Sequence, residues 1–226
     1  MIIVVGRGHS GTRAIAETLA QSRVCMGTVN ESYDLIPPAP MYEAAWEYSK
    51  YVQWKGGLNW EWLDTEPTPK WNRWIDIYLK PIMSHDGARG WKIPETLLSL
   101  PWVVKRFPDA HYIHWTRDPR DVILSGHGTD DLADYGIEYE RTDDVLKRRA
   151  ISYRYQQDLV QNTPKPRLWM PVTLQEFVLH QDDTLGKLEK FLGMKLEKIA
   201  VKPEVIGRWQ LHNDIRWEDY NEILGI

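Results

Sequence analysis

The sequence predicts a three-layer α/β fold, with a central and mostly parallel sheet flanked by helices. Three observations carry this. Ile2 to Val5 is a short, continuous β-branched run ending at Gly6, the pattern of a strand buried on both faces. Next, Ala14, Ile15, Thr18 and Leu19 recur at helical spacing between Thr12 and Gln21. The same succession returns downstream, where Ala110 to Trp115 reads as a strand and passes through Thr116-Arg117-Asp118-Pro119 into a helix. Strands alternating with helices build parallel sheets.

The remaining elements follow in order. Between about 33 and 86 the pattern is irregular, interrupted by Pro37, Pro38, Pro40, Pro67 and Pro69 and carrying six tryptophans. Within it, Trp71 to Met83 allows a helix with Trp71, Trp74, Ile75 and Tyr78 on one face. We read this stretch as a Trp-rich irregular insertion over the sheet edge, inside a single domain spanning 1–226. Regular signals resume at Gly90-Trp91-Lys92-Ile93-Pro94, followed by a loop and short helix over Thr96 to Phe107. Asp118 or a neighbour caps the next helix, with Pro119 in its first turn. Thr142-Asp143-Asp144 starts a helix running to about Val160, since acidic residues suit the positive end of the helix dipole. Leu168 to Thr173 is a strand, and Thr184 to Leu192 a helix stopped by Gly193.

Composition narrows the function. The formal net charge of −4 argues against a nucleic-acid binder, which carries a basic excess. A single cysteine, Cys25, leaves no intramolecular disulfide and no thiolate zinc cluster, which fits a reducing, cytoplasmic setting. The start Met1-Ile2-Ile3-Val4-Val5-Gly6 lacks the basic flank and apolar length of a signal peptide, and no run reaches membrane-spanning length. Twelve tryptophans and eleven tyrosines against three phenylalanines suit either an aromatic-lined wet pocket or simple core filling.

Two segments carry chemistry. In Gly6-Arg7-Gly8-His9-Ser10-Gly11-Thr12-Arg13, a glycine turn between strand and helix presents backbone N–H groups to an anion, and the helix dipole adds to the attraction. Ser10 and Thr12 add hydroxyls, and Arg7 and Arg13 add forked cationic donors. The Gly-Lys-Ser/Thr ending of nucleotide hydrolases is missing, which tells against a kinase sharing this opening. In the second segment, Thr116 to Ser125, Arg117 at a strand end and Ser125 two helical turns on can clasp one phosphate. A surface ion pair of Arg120 with Asp121 is the plainer use of those charges.

Together these segments resemble the 5′-phosphosulfate loop and the 3′-phosphate site of the sulfotransferases that use 3′-phosphoadenosine 5′-phosphosulfate (PAPS). Trp91-Lys92-Ile93-Pro94 is similar to the Lys-x-Pro segment of glycosaminoglycan sulfotransferases, and it stands where small-molecule sulfotransferases place a catalytic His before Leu-Pro. Ile206-Gly207-Arg208-Trp209 resembles the Gly-Arg-Trp segment that closes over the donor. The family's strand, acidic turn and Phe-Leu-Gly pattern is matched by Val172 to Phe177 and Phe191-Leu192-Gly193.

The resemblance implies the P-loop-like architecture of that family, with PAPS as donor and adenosine 3′,5′-bisphosphate as product. It places the donor on Arg7, Gly8, His9, Ser10, Gly11, Thr12, Arg13, Arg117, Ser125, Gly207, Arg208 and Trp209. Glu31 in Asn30-Glu31-Ser32-Tyr33-Asp34 is similar to the catalytic glutamate of heparan sulfate 3-O-sulfotransferases, with Lys92 facing the sulfuryl or bridging oxygen. The loop departs from the family in having His9 where a lysine is usual, so activation of the donor falls to His9 or an arginine. His85 and His9 are rival proton acceptors. No metal is expected, because arginine, lysine and backbone donors stabilise the charge that develops. The acceptor is a small molecule or a carbohydrate, and Trp46, Trp54, Trp60, Trp62, Trp71 and Trp74 offer faces to stack on a sugar, a phenol or a quaternary amine. Loss of the loop lysine also leaves open a non-catalytic nucleotide-binding module on the same fold.

Overall fold

The computed structural model describes all residues 1–226. Four strands, β1 (Ile2–Val5), β4 (Gly90–Lys92), β5 (His111–Thr116) and β6 (Trp169–Thr173), form one parallel sheet in the order β4-β1-β5-β6. Their registers pair Ile3 with Trp91 on one side and with Tyr112 on the other. Strand β1 therefore lies inside the sheet, and its four residues are all buried.

Alternation along β1 separates two cores. Ile3 and Val5 face one layer, with α2 (Ala39–Ser49), α3 (Pro69–Met83), α4 (Leu100–Arg106) and α6 (Val145–Asn162) supplying Met41, Ile75, Val103 and Tyr155. Ile2 and Val4 face the other, with α1 (Thr12–Gln21), α7 (Leu174–Leu179) and α8 (Gln181–Leu192) supplying Ile15, Phe177 and Leu188. Two apolar faces covered by helices are what an all-parallel sheet requires. A smaller third cluster joins α5 (Pro119–Ile123) to α6 and to α9 (Glu218–Leu224) through Val122, Ala150 and Trp217. No helix of the protein is long and apolar enough to cross a membrane.

The stretch between α1 and β4 is more regular than its sequence pattern indicates. It holds α2, an antiparallel hairpin of β2 (Val52–Gly56) and β3 (Asn59–Trp62), and α3. Two of its prolines start helices: Pro40 and Pro69 stand in the first turns of α2 and α3, where no N–H is needed, while Pro81 lies within α3 near its end. The tryptophans there chiefly fill the core. Trp60 and Trp71 are buried, Trp54, Trp62 and Trp74 pack against the same cluster, and only Trp46 is largely exposed, at 47%. Of the two uses open to these rings, core filling accounts for most, and Trp46 is the one outward indole.

Candidate functional site: an anion cradle at the carboxyl ends of the strands

The loop after β1 is shaped by close approaches. A Cβ on Gly6 would stand 2.7 Å from the Trp115 carbonyl oxygen, so only glycine lets β1 and β5 diverge at that point. Gly11, at φ +86°, caps α1 in the left-handed region, and His9 also has positive φ, +61°. Ser10 Oγ donates to the Arg7 carbonyl at 2.6 Å, and Trp115 Nε1 donates to the Ser10 carbonyl at 3.0 Å. The backbone N–H groups of Gly8, His9, Gly11, Thr12 and Arg13 donate to no group in the chain. Five free donors at the start of a ten-residue helix make an anion site.

The end of β5 joins this loop directly. Arg117 donates to the His9 carbonyl at 3.2 Å and pairs with the Asp121 carboxylate at 3.2 Å, and it also donates to the Val205 carbonyl. Asp121 is fully buried. Its two oxygens accept the backbone N–H of Gly207 (2.9 Å) and of Trp209 (2.8 Å), which docks the C-terminal segment beside Arg117. Arg120 pairs with Asp118 at 2.7 Å and stacks over the Trp209 ring at 3.5 Å. The expected Arg120–Asp121 pair is thus corrected. Asp121 sits one helical turn beyond Arg117 and faces it, whereas Arg120 folds back on the cap. Ser125, half-buried just past α5, makes no hydrogen bond within the chain, and Arg208 makes no ion pair.

Arg7 turns away from the cradle. It is 2% exposed and pairs with Asp130 at 2.5 Å, and Arg149 completes the cluster from α6 at 3.2 Å. His9 Nε2–H donates to the Gly126 carbonyl at 2.5 Å. The His127 ring lies where a Gly8 side chain would be, 2.2 Å from its Cβ position. Burial, with the Arg7 charge adding to it, lowers the His127 imidazole to about 4. Burial likewise lowers His9, and its Nε2–H is already taken by the Gly126 carbonyl.

Beyond β1, the end of β4 supplies Lys92, 3% exposed, which pairs with Asp34 at 2.7 Å and donates to the Ser32 carbonyl at 2.7 Å. Burial lowers its pKa, Asp34 opposes that, and the more distant charge of Arg13 adds to the lowering. Arg13 is exposed and has no carboxylate partner. Glu31 stands at the exposed tip of a tight turn in which Asn30 Oδ1 accepts the N–H of Ser32 and of Asp34, both at 2.9 Å. It pairs with nothing; Asp34, three residues on, holds Lys92. His85 precedes β4 at the amino ends of the strands, away from the cradle, because β1 pairs with β4 in parallel. No group of three or more His, Cys, Asp or Glu side chains is arranged to hold a metal ion.

Loop, strand end, lysine corner and docked C-terminal segment converge on one end of a parallel sheet. The sequence profile described as the Sulfotransferase family matches residues 2–198. The chain belongs to the sulfotransferase family. Its fold is similar to that of a sulfotransferase from Alicyclobacillus acidocaldarius, with TM-score 0.54 and 14% identity over 99% of this chain and 93% of the other. It is also similar to sulfotransferase STF1 from Mycobacterium tuberculosis H37Rv, with TM-score 0.52 and 14% identity over 100% of this chain and 76% of the other. At such identities these likenesses concern the fold. No curated protein matches the chain significantly.

The sequence reading missed four carboxylates of this sulfotransferase: Asp34 against Lys92, Asp130 against Arg7, Asp121 under the C-terminal segment, and Glu95. Asp121 alone had a local signal, its i,i+4 spacing from Arg117. The fourth, Glu95, is 3% exposed on the short 3₁₀ turn after Lys92, and its Oε1 accepts the Tyr135 hydroxyl at 3.1 Å.

Proposed function

We propose that the protein transfers the sulfuryl group of PAPS to a hydroxyl or amine of a small-molecule or carbohydrate acceptor by in-line displacement. The observation that supports this reading is the pairing, through Arg117 to the His9 carbonyl, of five free loop N–H groups with a second cationic corner on the neighbouring strand. A donor with phosphate oxygens at both ends needs both. When bound, PAPS supplies a sulfuryl group already attached to a phosphate leaving group.

The chain's own groups then divide the work. The N–H groups of Gly8, His9, Gly11, Thr12 and Arg13 with the Thr12 hydroxyl hold the 5′ end, and Ser10 braces the turn. Ser125, Arg208 and the outer edge of Arg117 hold the 3′-phosphate, and Gly207-Arg208-Trp209, fixed by Asp121, closes that corner. Arg7 acts from beneath by fixing the 126–130 turn against Gly8. With His9 tied to Gly126, positive charge at the leaving oxygen comes from Lys92 and Arg13.

The test is binding of adenosine 3′,5′-bisphosphate and of 5′-AMP by calorimetry. Ser125→Ala and Arg208→Ala each remove a contact to the 3′-phosphate alone, about 1.5–3 kcal/mol, or roughly ten- to a hundredfold in affinity. The 5′-AMP affinity stays within a factor of about two. Equal losses for both ligands would remove the 3′-phosphate assignment.

A further inference from the structure

We infer that Glu95 is the group that takes the acceptor's proton, in place of the exposed Glu31; this rests on the PAPS-transfer reading above. Glu95 lies three residues after Lys92 and belongs to the same corner of the sheet. Its Oε1 is held by the Tyr135 hydroxyl, and both atoms face Gly128, whose Cβ position is 3.9 Å from Oε1 and 3.6 Å from the hydroxyl. The preceding residue, His127, packs on Gly8 of the donor loop. The carboxyl is therefore bracketed by the lysine corner on one side and by the turn that floors the cradle on the other.

Two further features suit it to proton transfer. No other residue donates to its second oxygen, Oε2, and the backbone N–H of Glu95 itself lies within reach of the carboxylate. No cation pairs with the carboxylate, unlike Asp34. Desolvation by burial consequently raises its pKa to about 7, within the range in which a carboxylate accepts a proton well at neutral pH. The groups that face it are Tyr135 from the 132–135 turn, Tyr42 on α2, Tyr78 on α3, Asp34 from the 30–35 turn and Lys92 on β4. Among these tyrosines, Tyr42 is the exposed one, its ring edge-on to Tyr135 at 6.1 Å, so it is the solvent-facing side of this corner.

The step balances simply. The acceptor oxygen bonds to sulfur as its proton passes to Oε2, the bond from sulfur to the 5′-phosphate oxygen breaks, and its electron pair leaves on adenosine 3′,5′-bisphosphate. The proton then departs from Glu95 to solvent. Glu31, exposed at the tip of its turn and without a partner, serves as the control.

The experiment has an arm that needs no turnover. In ligand-free protein labelled with ¹³C at the glutamate carboxyl, one resonance titrates with a midpoint near 7 and vanishes in Glu95→Gln. A midpoint for Glu95 in the ordinary carboxylate range would overturn the inference. In the second arm, transfer of ³⁵S from labelled PAPS to 2-naphthol, and to water in the same samples, is followed against pH. Glu95→Gln loses about a hundredfold or more and its acidic limb disappears, while Glu31→Gln keeps both. The reverse pattern would return the role to Glu31. Adenosine 3′,5′-bisphosphate affinity unchanged in Glu95→Gln separates a lost base from a lost fold, and its loss there would also overturn the assignment. Absence of that binding in the wild type would instead sink the donor reading, which the titration does not use.

Discussion

Replacing Asp121 by Asn tests the clasp that joins the C-terminal segment to Arg117 at the end of β5. The side chain keeps its shape, but one oxygen becomes an NH₂ group facing donors. Asp121 accepts three interactions, from the N–H groups of Gly207 and Trp209 and from Arg117 at 3.2 Å, and is fully buried. One amide oxygen can retain one of the backbone bonds. The loss is then a charged hydrogen bond, about 1.5–3 kcal/mol, together with an uncompensated Arg117 that is itself 9% exposed. Breaking a buried pair from one side costs about 3–5 kcal/mol, and that range bounds the sum. Urea unfolding followed by tryptophan fluorescence measures it. On the proposed donor reading, adenosine 3′,5′-bisphosphate affinity falls at least about tenfold in the same variant, because Gly207-Arg208-Trp209 is no longer held beside Arg117. A change below about 1 kcal/mol with unaltered affinity would refute the clasp.

Other perturbations follow from the same geometry. Gly8→Ala places a methyl 2.2 Å from the His127 ring, so that turn must shift; the cost is about 1–3 kcal/mol in stability, with weakened 5′-AMP binding by calorimetry. Asp130→Asn leaves Arg7 buried without its counter-ion and lowers unfolding free energy by about 3–5 kcal/mol in urea. The pH dependence has two opposing parts. His127 and His114, each lowered by burial to about 4, stabilise the fold above the ordinary histidine pKa, and that stability is lost as pH falls from about 6.5 toward 4, about 3 kcal/mol for each. Glu95, raised to about 7, does the reverse: its contribution is present below the ordinary carboxylate pKa and is lost as pH rises toward 7, again about 3 kcal/mol. Stability therefore rises modestly between about pH 4.5 and 6.5 in the wild type and more steeply in Glu95→Gln, as thermal unfolding across that window measures.

What the sequence disclosed follows from how local each signal is. β1, α1 and the start of α6 at Asp144 were readable because a hydrophobic period and a cap lie within a few residues of one another. The strand-turn-helix unit that carries Arg117 and Ser125 was readable for the same reason. α2 was missed because Pro40 stands in its first turn and because the helix is apolar on more than one face, lying between α3 and the 3₁₀ turn after β4. Lys92 with Asp34, and Arg7 with Asp130, are 58 and 123 positions apart, and nothing in either neighbourhood announces the partner. Sequence chemistry named the cations of the site. Only tertiary structure says which of them are already neutralised, and thus that Arg13 and Arg208 are free for a ligand while Arg7 is not.

The strand order β4-β1-β5-β6 has a consequence for how the chain is made. Residues 6–89 separate β1 from its neighbour β4, and its other neighbour, β5, comes later still. At ribosomal speeds of about 5–20 residues per second, Ile2-Ile3-Val4-Val5 waits several seconds with both hydrogen-bonding edges open. Such an apolar run is a template for pairing with another nascent chain. The segment synthesised in that interval, with α2, the hairpin and α3, carries much of the core that will cover Ile3 and Val5. It is placed in the chain where it can shield the first strand before the sheet exists.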